Sequence, residues 1–280
     1  MMAILSHIQA RELLDGLLSG SSRVETSLDL NRTRAAAEVD DTGARFDGSV
    51  LTWARIEEIA ETENACFIVD ADGIRKAQLY SEELDRFYSL YPTPRAPTML
   101  LSGIPMHRIK RVDPVEDTER KMKTIAPVTG DVLDICTGLG YTAIAAARTA
   151  AHVTTIELDP TVLELCRMNP WSRELFDNPK IEQHTGDAAE IIETLPDRRF
   201  SRIFHDPPTF SLAGQLYSGA FYRQLHRVMK RGARLFHYIG DLDSTTGRVV
   251  TKGVVKRLQE AGFTRVERRA EAFGVTATRG

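Results

Sequence analysis

The feature that most constrains the fold is a regular alternation of strand-like and helix-like segments from Val132 to the C-terminus. Apolar, β-branched segments predict strands at Val132–Ile135, His152–Leu158, Lys180–His184, Ser201–Phe204, Ala233–Ile239, Phe263–Ala270 and Gly274–Thr278. Segments with helical character lie between them, at Thr142–Thr149, Thr161–Met168, Ala188–Leu195, Tyr217–Lys230 and Lys252–Ala261. Such alternation is typical of an α/β protein, so we predict a doubly wound, mostly parallel, seven-stranded sheet.

The N-terminal part of the chain has a different pattern. The predicted elements are a helix over Ile4–Leu18, strands over Val24–Leu30 and Arg32–Val39, a helix over Arg55–Thr62, and strands over Cys66–Val69, Ile74–Leu79 and Thr98–Ile104. We therefore predict a smaller β-rich N-terminal domain over residues 1–112. The α/β domain is predicted to follow over residues 113–280.

Charge is unevenly distributed along the 280 residues, although the net charge is only −3. Residues 198–280 carry 16 Lys and Arg against 6 Asp and Glu, whereas residues 126–197 carry 4 against 12. A basic C-terminal segment can attract a polyanion at long range. The alternative is that these cations coat solvated helix faces and pair with the acidic parts of the chain.

Cysteine usage indicates a reduced, cytoplasmic protein. Cys66, Cys136 and Cys166 are far apart and form no Cys-x-x-Cys pair, so we predict no metal site and no disulfide framework. The pattern predicts neither a secretory leader nor a membrane span. A homo-oligomer is compatible with the sequence.

A glycine-containing loop follows the first strand of the alternating region. Gly138 and Gly140 allow a tight turn and a close ligand approach, and the helix after them directs its positive N-terminus toward the same place. Glu157, at the end of the second strand, is positioned to hold a ribose diol. Gly138-x-Gly140-x-x-Ala143 also satisfies a dinucleotide fingerprint, so these features predict an adenosine-type cofactor without identifying it.

Three further carboxylates distinguish between the cofactors. Asp134 precedes the glycines, where it would repel a pyrophosphate but suit an ammonium group. Asp187 follows the third strand, and Asp206-Pro207-Pro208 follows the fourth. At this point residues 113–280 resemble the class I S-adenosylmethionine-dependent methyltransferases, which carry these parts in this order and spacing. A nicotinamide oxidoreductase remains the alternative.

The resemblance implies S-adenosylmethionine as cofactor and a role for each motif. The methionine end would be held by Asp134 and the loop residues Cys136, Thr137, Gly138, Gly140, Tyr141 and Thr142. Glu157 with Leu158 would hold the ribose, Asp187 with Ala188 the adenine edge, and Asp206 would also border the cofactor. The family usually has glycine where Cys136 stands. Asp187 has a second interpretation, as the N-cap of the helix that follows it.

The segment after the fourth strand resembles the Asp/Asn-Pro-Pro-aromatic motif of methyltransferases that act on nitrogen in nucleobases. Asp206-Pro207-Pro208-Thr209-Phe210 is most similar to ribosomal-RNA base methyltransferases. The resemblance implies catalytic roles for Asp206, Pro207, Pro208 and Phe210, with tRNA or rRNA as partner. Asp206 and the Pro207 carbonyl would accept hydrogen bonds from an amine, and Phe210 would stack on a base. The alternative is that Asp-Pro-Pro only shapes a turn and Phe210 is core.

Two other functions stay open. A β-rich domain ahead of such a core resembles the layout of polyamine synthases, but their Gly-Gly-Gly-Asp-Gly loop and acidic amine-binding cluster are absent. A small-molecule transferase with the same class of cofactor is therefore the alternative enzyme. The chain could also keep the fold as a non-enzymatic binding module. Methylation at carbon 5 of cytosine is excluded, because that chemistry needs an attacking cysteine near Asp206 and none follows Cys166.

Overall fold

A computed structural model describes residues 3–46 and 49–280. The chain divides into two compact units. One comprises the residues up to Val115 together with Thr161–Arg173, and the other comprises Glu116–Pro160 together with Glu174–Gly280. The domain boundary at residues 112/113 stays a prediction.

Helices and strands over the first part of the chain are mostly short. They are β1 (Ala3–Ser6), α1 (His7–Leu18), β2 (Arg23–Thr26), β3 (Ala35–Asp40), β4 (Gly43–Phe46), β5 (Ser49–Thr52), α2 (Trp53–Glu61), β6 (Cys66–Asp70), β7 (Gly73–Lys76), β8 (Gln78–Ser81), β9 (Arg86–Tyr91), β10 (Thr98–Leu101), β11 (Ile104–Pro105) and α3 (Pro114–Thr124). The strands β1 to β11 form antiparallel sheets in the orders β1-β6-β7, β2-β3-β4-β5 and β11-β10-β9-β8. The first unit is thus β-rich, as predicted.

The predicted helix over Ile4–Leu18 is wrong in its first turn. Ile4–Ser6 belongs to strand β1, which pairs with β6, and the helix begins only at His7. Ser6 sets this boundary through a capping box: its hydroxyl accepts a hydrogen bond from the Ile8 amide at 3.3 Å, while its own amide donates to Gln9 Oε1 at 2.9 Å. Both interactions satisfy groups that a helix start leaves without partners.

Elements over the second part of the chain alternate. They are β12 (Asp131–Ile135), α4 (Tyr141–Ala147), β13 (His152–Glu157), α5 (Pro160–Met168), α6 (Glu174–Asp177), β14 (Ile181–Thr185), α7 (Ala188–Thr194), β15 (Phe200–His205), α8 (Gly219–Val228), β16 (Met229–Tyr238), α9 (Thr245–Glu260), β17 (Phe263–Arg269) and β18 (Gly274–Arg279). All seven predicted strands are present.

One seven-stranded sheet organises the second unit. Its order is β14-β13-β12-β15-β16-β18-β17. Pairs from β14 to β16 are parallel, and β18 runs antiparallel to both β16 and β17. The prediction of a doubly wound, mostly parallel sheet is confirmed. The strand order reverses between β12 and β15, which is where ligands bind in open α/β sheets.

Helices α7, α8 and α9 pack their apolar faces on this sheet. Their contacts include Ile192, Leu225 and Leu258, which join Ile203 and Val275 of the strands in one buried cluster. Within the residues described, no helix combines the length and apolarity needed to span a bilayer.

Two glycines in α9 differ in the space that a side chain would find around them. A Cβ at Gly247 would lie 1.8 Å from the Asp241 carbonyl oxygen, whereas a Cβ at Gly253 would meet only the flexible end of Arg257 at 3.0 Å. We therefore expect Gly247→Ala to lower the free energy of unfolding by about 2 kcal/mol through overpacking. Gly253→Ala is expected to raise it by roughly 0.5–1 kcal/mol through helix propensity. Urea unfolding measures both, and a loss at Gly253 equal to that at Gly247 would contradict this account.

Candidate active site at the sheet switch point

Four carboxylates that the sequence singled out follow successive strands of the seven-stranded sheet. Asp134 lies in β12, Glu157 ends β13, and Asp187 and Asp206 follow β14 and β15. The strands are aligned so that Ile135 is level with both Ile156 and His205. Because parallel strands end at one edge, the carboxylates reach the same side of the sheet.

The loop after β12 curls back on the neighbouring strand. The amides of Cys136 and Thr137 both donate to the Ile156 carbonyl at 3.0 Å, and the Gly140 amide donates to the Thr137 carbonyl at 2.8 Å. Cys136, Gly138 and Gly140 have φ values of 69°, 50° and 77°. The non-glycine residue at position 136 therefore keeps the left-handed backbone that favours glycine. Tyr141 and Thr142 begin α4 and are buried.

Asp134 is almost completely buried and only partly satisfied. Its Oδ2 accepts a hydrogen bond from the Thr155 hydroxyl at 2.9 Å, and that hydroxyl also contacts the Thr137 hydroxyl at 2.6 Å. Its Oδ1 has no hydrogen-bond partner among the described residues. Burial raises the pKa of Asp134 to about 8, against the opposing effect of Thr155. A cationic ligand would satisfy the open oxygen.

Glu157 closes the same loop from the second strand. Its Oε2 accepts a hydrogen bond from the Gly138 amide at 2.8 Å, and burial raises its pKa to about 7. The next residue, Leu158, leaves 46% of its surface exposed. An acceptor oxygen beside an open apolar side chain is suited to a hydroxylated, partly apolar ligand.

Asp187 caps a helix. Its Oδ1 accepts from the Ala189 amide at 2.8 Å at the N-terminus of α7, and its Oδ2 accepts from the Gln215 side chain at 3.0 Å. Ala188 is the first residue of that helix and is buried. The capping interpretation therefore applies, and a role toward an adenine edge stays a prediction.

Three of the predicted carboxylates are hydrogen-bonded at or next to the loop after β12. Asp134 reaches Thr137 through the Thr155 hydroxyl, and Glu157 accepts from the Gly138 amide. The Asp206 amide donates to the Ile135 carbonyl, directly before the loop. Burial raises the pKa of the Cys136 thiol in this loop, and the charges of Glu157, Asp206, Asp134 and Asp187 raise that pKa further.

The loop after β15 carries the predicted acceptor motif. The Asp206 amide donates to the Ile135 carbonyl at 3.2 Å, and Pro207 is buried. The Tyr217 hydroxyl donates to the Pro208 carbonyl at 2.9 Å. Phe210 is 50% exposed and meets Tyr217 edge-on, with ring centroids 5.4 Å apart. The alternative that Phe210 is core is therefore wrong.

Lys121 is a residue of this candidate site that the sequence interpretation missed. Its ammonium lies 2.6 Å from Asp206 Oδ2 and 2.8 Å from Asp117 Oδ2, and its side chain is only 3% exposed. Burial lowers the pKa of Lys121, but the two carboxylates outweigh this effect and raise it. Burial also raises the pKa of Asp206, which the charge of Lys121 opposes. The available signal was Pro114 followed by Asp117 and Lys121 at helical i,i+4 spacing.

Two histidines lie behind this loop as neutral groups. His205 Nε2 donates to the Leu216 carbonyl at 2.9 Å, and the ring centroids of His205 and His237 are 4.4 Å apart. Burial lowers the pKa of His205 to about 4 and that of His237 well below its ordinary value. They pack the floor of the loop and carry no charge near neutral pH.

The class I fold implies S-adenosylmethionine, and the residues present fit it. The donor set offers carboxylate oxygens, one of them buried without a partner, to a cationic ligand. A Cβ at Gly138 would meet no atom within 4 Å, so the loop is open at that point. No group of His, Cys, Asp or Glu suited to a metal ion occurs among residues 3–46 and 49–280.

Comparisons with known sequences show what this chain is similar to. The family described as conserved hypothetical protein 95 matches residues 117–220. Uncharacterized protein MJ1233 of Methanocaldococcus jannaschii is 40% identical over 276 residues, which cover 96% of this chain and 93% of that protein. Human tRNA (uracil-5-)-methyltransferase homolog A is 36% identical over 84 residues, or 29% of this chain and 13% of that protein.

Among solved structures, a spermidine synthase in complex with the transition-state analogue AdoDATO superposes with a TM-score of 0.62. It is 18% identical, and the match covers 72% of this chain and 73% of that one. At this identity the likeness concerns the fold. The chain therefore belongs to the family of protein MJ1233.

Proposed function

We propose that the protein uses S-adenosylmethionine to methylate a nitrogen atom of an RNA base. The observation that carries this proposal is the acceptor loop, in which Asp206 is bound to Lys121 and Phe210 is half exposed beside it. The motif resembles that of enzymes acting on nucleobase nitrogen. The partial match to a tRNA methyltransferase supports the same substrate class.

Residues around the first loop would hold the cofactor. Asp134 Oδ1 would accept from its ammonium group, Glu157 from the ribose hydroxyls, and the loop Cys136–Gly140 would follow its methionine end. Leu158 and Ala188 would line the adenine, with Asp187 at its edge. When bound, S-adenosylmethionine supplies an activated methyl group on a positively charged sulfur.

The acceptor is expected to be neutral. Asp206 Oδ2 already has a cationic partner, because the buried Lys121 ammonium lies within hydrogen-bond distance of it. A protonated polyamine would have to displace Lys121 to pair with that oxygen. An uncharged exocyclic amine or ring nitrogen requires no such displacement.

Asp206 and Phe210 would position that neutral nitrogen. Lys121 fixes Asp206 Oδ2, which leaves Oδ1 to accept a hydrogen bond from the amine. Phe210 would stack on the base, and the Pro207 carbonyl would accept a second hydrogen bond from the amine. Positioning of this kind contributes to catalysis by fixing the line of attack.

The cysteines of the chain favour a nitrogen atom over a carbon atom as the methyl acceptor. Carbon-5 methylation requires a thiolate that attacks the base. Cys136 is held protonated by its surroundings, and no cysteine follows Cys166. A polyamine-type transfer remains the second candidate, favoured by the fold likeness to spermidine synthase and by the four carboxylates around Cys136.

The substrate class is tested with two labelled cofactors: S-adenosylmethionine labelled in the methyl group, and decarboxylated S-adenosylmethionine labelled in the aminopropyl group. We expect methyl label in RNA when the protein is incubated with total RNA, and no aminopropyl label in polyamines when it is incubated with putrescine or spermidine. Ribonuclease treatment of the methylated product, followed by nucleoside chromatography, identifies the modified atom. Aminopropyl label in polyamines without methyl label in RNA would overturn the proposal in favour of the second candidate.

Asp206 and Glu157 are expected to affect different steps. Asp206→Ala should lower kcat roughly 100-fold with little change in cofactor affinity, because it removes a contact made to the acceptor. Glu157→Ala should instead weaken cofactor binding. Calorimetry of cofactor binding and single-turnover rates separate the two effects. An equal loss of cofactor affinity in both variants would mean that Asp206 is structural.

Asp134 gives a pH test of the cofactor site. Its pKa is raised to about 8 in the folded protein, so the folded state holds a proton more tightly than the unfolded chain. Its contribution to stability is therefore lost as pH rises from about 4 to about 8.

Asp134→Asn removes this dependence. The variant should gain stability over the wild type by more than about 1 kcal/mol between pH 5 and pH 8, while losing cofactor affinity. Asp131→Asn, in the same strand, is the control: Asp131 pairs with Lys230, and its substitution should leave cofactor affinity unchanged. Parallel stability curves for Asp134→Asn and the wild type would contradict the assigned burial.

A further inference from the structure

A polar groove lies on one face of the sheet, on the strands rather than among the loops described above. Its volume is about 250 Å³. It is lined by Thr124, Arg234, Arg265, Glu267, Arg269, Thr276, Ala277 and Thr278. The opposite face of the same strands packs against α9 through Val275 and Val266. The groove thus occupies a sheet face whose lining is almost entirely charged or hydroxylated.

A bulge in the edge strand shapes this lining. The pairing of β17 with β18 shifts register between Thr264 and Glu267, and Arg265 within the bulge has a φ of 48°. Bulges redirect side chains at sheet edges. Here the bulge lets Arg265 join Glu267 and Arg269 along the groove.

Positive charge exceeds negative charge in the groove. Glu267 pairs with Arg269 at 2.5 Å, and Arg234 donates to the Ala126 carbonyl at 2.7 Å. Arg265 has no ion-pair partner within the described part of the chain. The neighbouring Arg202, level with Arg234, has its pKa lowered by burial and by the charge of Arg234. Three guanidinium groups and three threonine hydroxyls favour an anion with several oxygen acceptors.

The groove leads toward the acceptor loop. Arg269 pairs with Gly274, which pairs with Tyr238, so the three residues share one row of the sheet. The Tyr238 ring lies 4.9 Å from the Lys121 ammonium, and Lys121 binds Asp206. Arg265 lies four positions before Arg269 in β17, roughly 13 Å along the strand. The arginines of the groove therefore form a line that ends beside the acceptor loop.

We infer that this groove binds the phosphodiester backbone of the RNA whose base enters the acceptor loop. The inference rests on the proposed function for the identity of the polyanion. A phosphate chain complements the arginines and hydroxyls, and the scarcity of apolar lining disfavours a peptide or lipid. Contacts of this kind supply affinity and register rather than base selection.

The test uses the full-length double variant Arg265→Gln, Arg269→Gln. Binding to a labelled tRNA pool is followed by fluorescence anisotropy at several salt concentrations. We expect the Kd to rise roughly tenfold at low salt and the slope of log K against log salt to fall by about two. The rate at saturating RNA should stay near that of the wild type. Circular dichroism and thermal melting confirm that the variant is folded, and single Arg265→Gln gives a milder change.

The matched control is Lys252→Gln, Lys256→Gln, on the exposed side of α9. It removes the same charge from the opposite side of the sheet and should leave the salt slope close to that of the wild type. If the arginine variant methylates RNA and binds it as tightly as the wild type does, the inference about the groove is wrong and the proposed function is unaffected. Arginine-dependent RNA binding without methylation overturns the function and supports the groove. If the wild type does not bind RNA, both are wrong.

Discussion

The bridge from Lys121 to Asp206 is the interaction on which the second unit's reactive edge depends. It joins a helix ahead of the sheet to the loop after β15, across 85 positions of sequence. A buried ammonium with a carboxylate on each side is tolerated because its charge is compensated at hydrogen-bond distance. Removing one partner of such an arrangement typically costs about 3–5 kcal/mol. The loop is therefore fixed by a polar contact rather than by apolar packing alone.

Much of the sheet could be predicted because its strands are short apolar runs that every βα unit repeats. The site residues could be located for a related reason, since polar groups directly after such runs have to lie at one edge. Lys121 could not be found in this way. Its burial depends on Asp206, a partner far along the chain, and a lysine in a charged helix ordinarily faces water. The same limit applies to Ile4–Ser6, whose apolar residues suit a helix or a strand until the Ser6 capping box decides between them.

Asp134 and Glu157 lower the stability of the folded chain through the burial of their carboxyl groups. Both carboxyl groups are buried enough that their pKa values move toward neutrality. Each would be easier to keep in water, and each is retained where a cation or a hydroxyl is expected to complete its hydrogen bonds. Asp187 differs, because the helix N-terminus and Gln215 already satisfy it. The acidic residues thus lie at the same edge of the sheet but have different roles.

The surroundings of Cys136 have a consequence for selectivity among nucleophiles. A thiolate is a far better methyl acceptor than a neutral amine, and a cysteine in a cofactor loop would compete with the substrate for the transferred group. Four neighbouring carboxylates and burial keep this sulfur in its thiol form. Under the proposed function, the negative charge that suits a sulfonium donor would thereby also protect the protein from alkylating itself.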